Sequence, residues 1–160
     1  MRAFRILLAV LVGLLFVSLP AGAQRVSYTV FLSGGEEVPP VSTKGLGIAV
    51  LEVAPDRSAL QYRLIVGNLV GITMAHIHVA PPGQNGPIVA WLFPSSPPPT
   101  LIPGRFHGTL ATGTIRAENL TGPLAGRPLS ALLEAIERGN AYVNVHTQAN
   151  PGGEIRAQIR

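Results

Sequence analysis

From residue 26 onward the chain alternates. Val26, Tyr28, Val30 and Leu32 are spaced by Ser27, Thr29 and Phe31. A period of two sends one row of side chains to a core and the other row outward, which predicts a first strand. Residues 46–53 read as a second strand, and Ala54-Pro55-Asp56-Arg57-Ser58 as a tight connection. Leu60, Tyr62, Leu64 and Val66 then alternate with Gln61, Arg63 and Ile65, a third strand hairpinned to the second. Residues 72–79 and 88–93 predict a fourth and a fifth. Residues 105–115 resume an extended pattern in which Gly108 and Gly113 suggest bulges or bends. Residues 142–147 and 154–159 flank Asn150-Pro151-Gly152-Gly153, a hairpin signal. Only residues 128–138 break the period of two. There Leu129, Leu132, Leu133 and Ile136 fall at helical spacing, with Pro128 in the first turn and Gly139 at the C-terminal end. The elements predict an all-β domain: an antiparallel β-sandwich or Greek-key barrel of seven to eight strands with one short helix.

Proline and glycine punctuate these runs. Gly34-Gly35-Glu36-Glu37-Val38-Pro39-Pro40 and Pro81-Pro82-Gly83-Gln84-Asn85-Gly86-Pro87 read as loops, and residues 94–103 carry five prolines. The first residues differ from all of this. Arg2 and Arg5 precede an apolar run over residues 6–19, and Ala21-Gly22-Ala23 supplies small residues after it. The run is about 14 residues against the roughly 20 of a spanning helix. Residues 1–23 are therefore expected to be a signal peptide cleaved after Ala23, leaving residues 24–160 as a secreted or periplasmic domain with no membrane anchor. Cleavage would remove Arg2 and Arg5, so twelve basic residues become ten against eight acidic ones. The remaining arginines are scattered and Lys44 is the one lysine, so the basic stripe of a nucleic-acid-binding protein is missing. The chain has no cysteine. Any metal site must then use nitrogen and oxygen ligands.

The candidate chemistry lies in histidines. His76 and His78 are two apart on a strand, so both rings project from one face while Ile77 and Val79 point to the other. His146 shares its strand face with Tyr142 and Asn144, opposite Val143 and Val145. All three imidazoles thus lie opposite an apolar core face, on one surface patch if the strands are neighbours. Zinc and copper(II) both accept imidazole nitrogen, and three histidines with an open position suit either ion. In the closing hairpin His146 must sit beside Glu154 or Arg156. Glu154 would orient it through its second ring nitrogen, whereas the charge of Arg156 would weaken cation binding. With ordinary imidazoles, binding should weaken below about pH 6. His107 has no partner in the pattern and reads as a surface residue.

Other constellations fall away. Ser95-Ser96 sits in the proline-rich loop without a nucleophile motif. Glu36-Glu37 is an adjacent pair whose side chains diverge in an extended segment, which reads as a solvated loop rather than a glycosidase dyad. Residues 83–86 lack a phosphate-loop lysine. Trp91, among Ile88, Val89 and Leu92, reads as core.

An ordered series of motifs resembles the CHRD domain, named for chordin and also found in bacterial exported proteins. It begins with Phe31-Leu32-Ser33-Gly34-Gly35-Glu36-Glu37-Val38-Pro39-Pro40. Gly67-Asn68-Leu69, Ala75-His76-Ile77-His78 and Asn85-Gly86-Pro87-Ile88-Val89 follow. It ends with Gly139-Asn140-Ala141-Tyr142-Val143-Asn144-Val145-His146-Thr147 and Asn150-Pro151-Gly152-Gly153-Glu154-Ile155-Arg156-Ala157-Gln158-Ile159. The resemblance implies an extracytoplasmic β-sandwich module and no particular activity. In layout His76-Ile77-His78 and a later strand histidine are also similar to copper/zinc superoxide dismutase, but the histidine/aspartate zinc loop and the cysteines of that enzyme are missing. Three functions follow. One is a copper- or zinc-binding domain using His76, His78 and His146, with Asn144, Glu154 and Arg156 around them. Another is a non-catalytic module for an extracytoplasmic protein or envelope partner. The last is a dismutase-like enzyme.

Overall fold

The computed structural model describes residues 25–160. The leader expected over residues 1–23 lies outside them. Seven strands and one α-helix follow in chain order: β1 (Val26–Ser33), β2 (Leu46–Val53), β3 (Leu60–Val79), β4 (Ile88–Phe93), β5 (Ile102–Ile115), α1 (Ser130–Glu137), β6 (Ala141–Thr147) and β7 (Ile155–Gln158). Every pairing is antiparallel. β2, β1, β7, β6 and β3 pair in turn, and β2 also pairs with β3, so the sheet closes into a barrel. β4 and β5 pair with β3 in addition.

The β2–β3 connection is local chemistry. Asp56 Oδ1 accepts hydrogen bonds from the Ser58 backbone N–H (3.0 Å) and hydroxyl (2.8 Å), while Arg57 takes a positive φ of 57°. An aspartate holding its own turn in this way sets the hairpin register, which runs from Val53 opposite Leu60 to Leu46 opposite Gly67.

β3 departs from expectation. The segments 60–66 and 72–79 are one strand of 20 residues. Its first half pairs with β2 and β5, and its second half with β4 and β6. Asn68 (φ 60°) and Gly71 (φ 68°) adopt left-handed backbone where the β3–β5 register shifts. Residues inserted in that conformation bend a strand without ending its ladder. The Gly67-Asn68-Leu69 segment is therefore a bulge, not a connection.

Inside the barrel lie Leu32, Leu51, Leu64, Ile72, Ile77, Val143, Val145 and Ile155, each no more than 1% exposed. Leu132, Leu133 and Ile136 of α1 join the same core. The helix stops in a paired hydrogen-bond motif: Asn140 N–H to Ala135 C=O and Gly139 N–H to Ile136 C=O, both 2.8 Å. Gly139 supplies the left-handed residue (φ 69°) that this ending requires. Among the described residues no helix is long and apolar enough to cross a membrane.

Candidate metal centre

The cluster is built on the outer face of β3, β6 and β7. Register places His76 opposite Asn144, and Asn144 opposite Arg156. The next row is His78, Tyr142 and Gln158. His146 pairs with Met74 in β3. Residues directly opposite share a face, so the three histidines meet on one side of the sheet. Ile77, Val143 and Val145 occupy the other side and are fully buried.

The expectation of an open surface patch is corrected here. His76 is 0%, His78 7% and His146 5% exposed. Alternation reveals which side of the sheet a residue takes but not what covers that side. Trp91 in β4 sits in register with His76 and meets its ring edge-on, with centroids 4.3 Å apart. It belongs to this outer cluster, not to the apolar core in which Val89, Ala90 and Leu92 pack. Tyr142 stacks parallel on His78 at 4.7 Å, and the Arg156 guanidinium lies 3.4 Å from the Tyr142 ring centroid.

Loops complete the cover. The Gly86 carbonyl meets His78 Nδ1 at 2.8 Å, and the Pro151 carbonyl meets His146 Nδ1 at 2.9 Å. A carbonyl accepts only, so both Nδ1 atoms carry the proton and both Nε2 atoms present lone pairs. Gly86 is needed for this approach, because a side chain there would run into the Val79 carbonyl. The loops are tied to one another by Asn85, which donates to the Val38 carbonyl (2.7 Å) and accepts from Arg156 (3.1 Å).

His76 Nδ1 lies 3.1 Å from His146 Nε2. In a metal-free protein His76 donates there, since His146 Nε2 is an acceptor. One nitrogen from each histidine lies within 4.8 Å of the others. Three atoms so placed share a point no more than about 2.8 Å from each, so the rings would draw in by up to about 0.7 Å to reach metal–nitrogen bonds of about 2.0–2.1 Å. To bind jointly with His146, His76 would have to release the Nδ1 bond to His146 Nε2; its own Nε2 has no partner. Three histidines so arranged could hold a metal ion.

Burial keeps all three imidazoles neutral. It pushes His76 down to about 3, aided by His146 and His78. It pushes His146 down to about 4, against the Pro151 bond. His78 is lowered by burial as well, against the bond it makes to the Gly86 carbonyl and the influence of the neighbouring Asn144 amide. Proton competition near pH 6, expected for ordinary imidazoles, is therefore displaced to more acid conditions.

The surrounding residues divide. Asn144 stands in the cluster, 2% exposed. Arg156 is in it too, held by Asn85, the Gln84 carbonyl and Gln158. Glu154 does not orient His146, although it follows in register. Its oxygens accept from Thr43 and Thr147 at 2.6 Å each, and the Pro151 carbonyl takes the ring instead. His107 is exposed on β5, where its Nδ1 accepts from the Asn68 N–H at 3.3 Å. Glu37 is the residue the sequence reading missed. Expected in a solvated loop, it is 5% exposed, and burial pushes its carboxyl up to about 7 against the pull of Arg156. Glu36 beside it is exposed. No pattern in an adjacent acidic pair reveals which member turns inward.

A family model described as the CHRD domain matches residues 28–159. The chain belongs to the CHRD domain family. No curated protein and no solved structure matches it. The CHRD domain is of extracellular type. Five of the six segments that carried the resemblance meet at the cluster of this CHRD domain, all but Gly67-Asn68-Leu69. The first supplies Glu37, the third His76 and His78, and the fourth Asn85 and Gly86. The last two supply Asn144, His146, Pro151, Gly153 and Arg156.

Proposed function

We propose that this CHRD domain is an exported module that holds one copper or zinc ion through His76, His78 and His146. One observation carries the reading. Among the described residues, four buried side-chain atoms lack a hydrogen-bond partner: His76 Nε2, His78 Nε2, Asn144 Oδ1 and Glu37 Oε1. Buried polar atoms are nearly always paired, so each orphan asks for a missing partner. These four lie in one cluster, and each can present a lone pair. A set of buried lone pairs without donors suits a cation. Histidines serving only as loop anchors would place both ring nitrogens on the backbone, whereas His78 and His146 each place one. The reading as an anchor for an extracytoplasmic protein partner therefore has less support.

With nitrogen donors, copper(II) should bind more tightly than zinc by the general affinity order. The test is calorimetric titration of each ion into chelator-treated protein, beside a His76→Ala/His78→Ala variant. Trp91 is the one tryptophan of the chain and touches His76. Copper(II) should therefore quench its emission in the wild type and not in the variant. Equal binding by both proteins, or none tighter than about 100 μM (roughly −5.5 kcal/mol), would reject the site.

A further inference from the structure

The three histidines stand on two strands, and the register fixes their layout. Along β3 the outward order is Met74, His76, His78, and beside it on β6 run His146, Asn144, Tyr142. Met74 faces His146, His76 faces Asn144 and His78 faces Tyr142. His146 and His78 are therefore the ends of a diagonal, one row to either side of the row that His76 shares with Asn144. The midpoint of that diagonal falls between His76 and Asn144. The four side chains mark the corners of a parallelogram, and Asn144 holds the corner that the histidines leave. It is directly opposite His76, diagonal to His78 and two residues from His146, so it is closer in register to each of them than His78 is to His146.

The amide is also turned the right way. Asn144 is 2% exposed and its Oδ1 has no partner. A Cβ built on Gly153 would lie 2.9 Å from Asn144 Nδ2 and would run into Glu37 Oε1. Nδ2 thus faces Gly153 on the side of the Glu37 carboxyl, where a donor belongs. Oδ1 is the other branch of the amide and is turned from that side. The same amide neighbours His78, whose Nε2 is an orphan too. The proton of His78 is on Nδ1 at the Gly86 carbonyl, so Nε2 only accepts, as Oδ1 does. Neither atom can satisfy the other.

Other polar side chains of these rows have structural work. Arg156 is tied to Asn85 and the Gln84 carbonyl. Gln158 donates to the Ala80 and Gly139 carbonyls. Both anchor the covering loops. The oxygen of Asn144 anchors none.

We propose that Asn144 Oδ1 is the fourth ligand of the ion, which is then held by three nitrogens and one oxygen with no exchangeable position. The inference rests on the metal reading above. Four protein ligands are the mark of structural zinc sites, whereas catalytic ones keep a position for water. Burial agrees, since none of the four side chains is more than 7% exposed. A cleft of about 300 Å³ opens beside Glu37, lined also by Asn85, Pro151 and Gly153, and none of the four ligands lines it. The centre retains an ion rather than turning over a substrate on it.

The experiment has two arms. In the first, copper(II) affinity is read from Trp91 quenching in wild type, Asn144→Ala and Asn144→Asp. Asn144→Ala should lose about a hundredfold, at the upper end of what residues that only orient ligands cost. Asn144→Asp keeps an oxygen donor and should bind within threefold of wild type or more tightly, a rescue that a merely structural asparagine would not give. A loss below tenfold in Asn144→Ala, or equal losses in both variants, would overturn the proposal while the metal reading stands. The second arm needs no variant. Cobalt(II)-loaded wild type should show the intense visible bands of a four-coordinate ion and keep them unchanged on adding azide. Bands that shift with azide would reveal an exchangeable fourth ligand and overturn the proposal as well. If copper(II) fails to quench the wild type, the metal reading itself fails and this inference falls with it.

Discussion

Residues 75–78 of β3, together with β6 and β7, are buried on both sides, and the two sides have opposite chemistry. Toward the barrel interior they present Ile77, Val143, Val145, Ile155 and Ala157, none more than 4% exposed. Away from it they present His76, Asn144, His146, Arg156 and Gln158, none more than 8% exposed. The inner side is buried because its groups are apolar. The outer side is buried although its groups are polar, because loops from distant parts of the chain cover it. Apolar burial stabilises a fold directly. Covering polar groups without pairing them is unfavourable, and here the described orphans gather on that side alone. Depth of burial by itself therefore does not distinguish a core from a site; the pairing of the polar atoms does.

The sharpest test of that contrast compares neighbours on β3. Ile77→Ala removes a fully buried inner side chain and should cost about 2–5 kcal/mol in denaturant unfolding. His78→Ala removes a side chain of similar depth whose Nε2 has no partner. In metal-free protein it should cost clearly less than Ile77→Ala, about 1–2 kcal/mol, on the order of one hydrogen bond plus lost packing. Equal losses would mean that the outer cluster holds the fold as a core does.

The two sides also differ in how far the sequence discloses them. Alternation disclosed the inner rows and put the three histidines opposite them, since a strand's period is set by backbone geometry. The shared faces of β6 and β7 followed from the need to bury Val143 and Val145 with Ile155 and Ala157, while the choice between registers two residues apart was left open. The cover was not legible, because it depends on contacts between remote loops. Thr43 and Glu154 are 111 residues apart in the chain, and Asn85 and Val38 are 47 apart. Trp91 looked like core because its apolar neighbours are core. Glu37 looked solvated because loops usually are. In both cases local composition was the same for the inward and the outward choice, and tertiary packing decided.

A smaller effect separates the sides by pH. The histidine pKa values are lowered from 6.5, to about 3 for His76 and about 4 for His146, with His78 lowered too. An unfolded chain would protonate these rings as pH falls below about 6.5, while the folded protein resists. Their contribution to stability is therefore complete above pH 6.5 and is lost as pH falls toward 3 to 4. Urea midpoints of metal-free protein should drop between pH 7 and pH 4.5. The drop should be less steep in His76→Ala/His78→Ala, where only His146 remains. Parallel profiles for the two proteins would mean that the cluster takes up protons without unfolding.

The smallest effect has the opposite sign and belongs to Glu37. Burial raises its carboxyl from 4.5 to about 7, so between those values the folded protein holds a proton that the unfolded chain has released. Its contribution is complete below pH 4.5 and is lost as pH rises through about 7. Within that window three histidines outweigh one carboxyl and stability still climbs. Above pH 6.5 only the carboxyl is left, and metal-free wild type should weaken slightly toward pH 8. Glu37→Gln keeps the shape of the side chain and cannot ionise. Its midpoint relative to wild type should therefore rise from pH 4.5 to pH 8, by the equivalent of about 1 kcal/mol or less in a site that opens to a cleft. A difference that is constant across that range would mean that Glu37 is ionised in the folded state and held by Arg156. The outer side would then be a paired polar core, and its resemblance to the inner side would be greater than the orphan atoms imply.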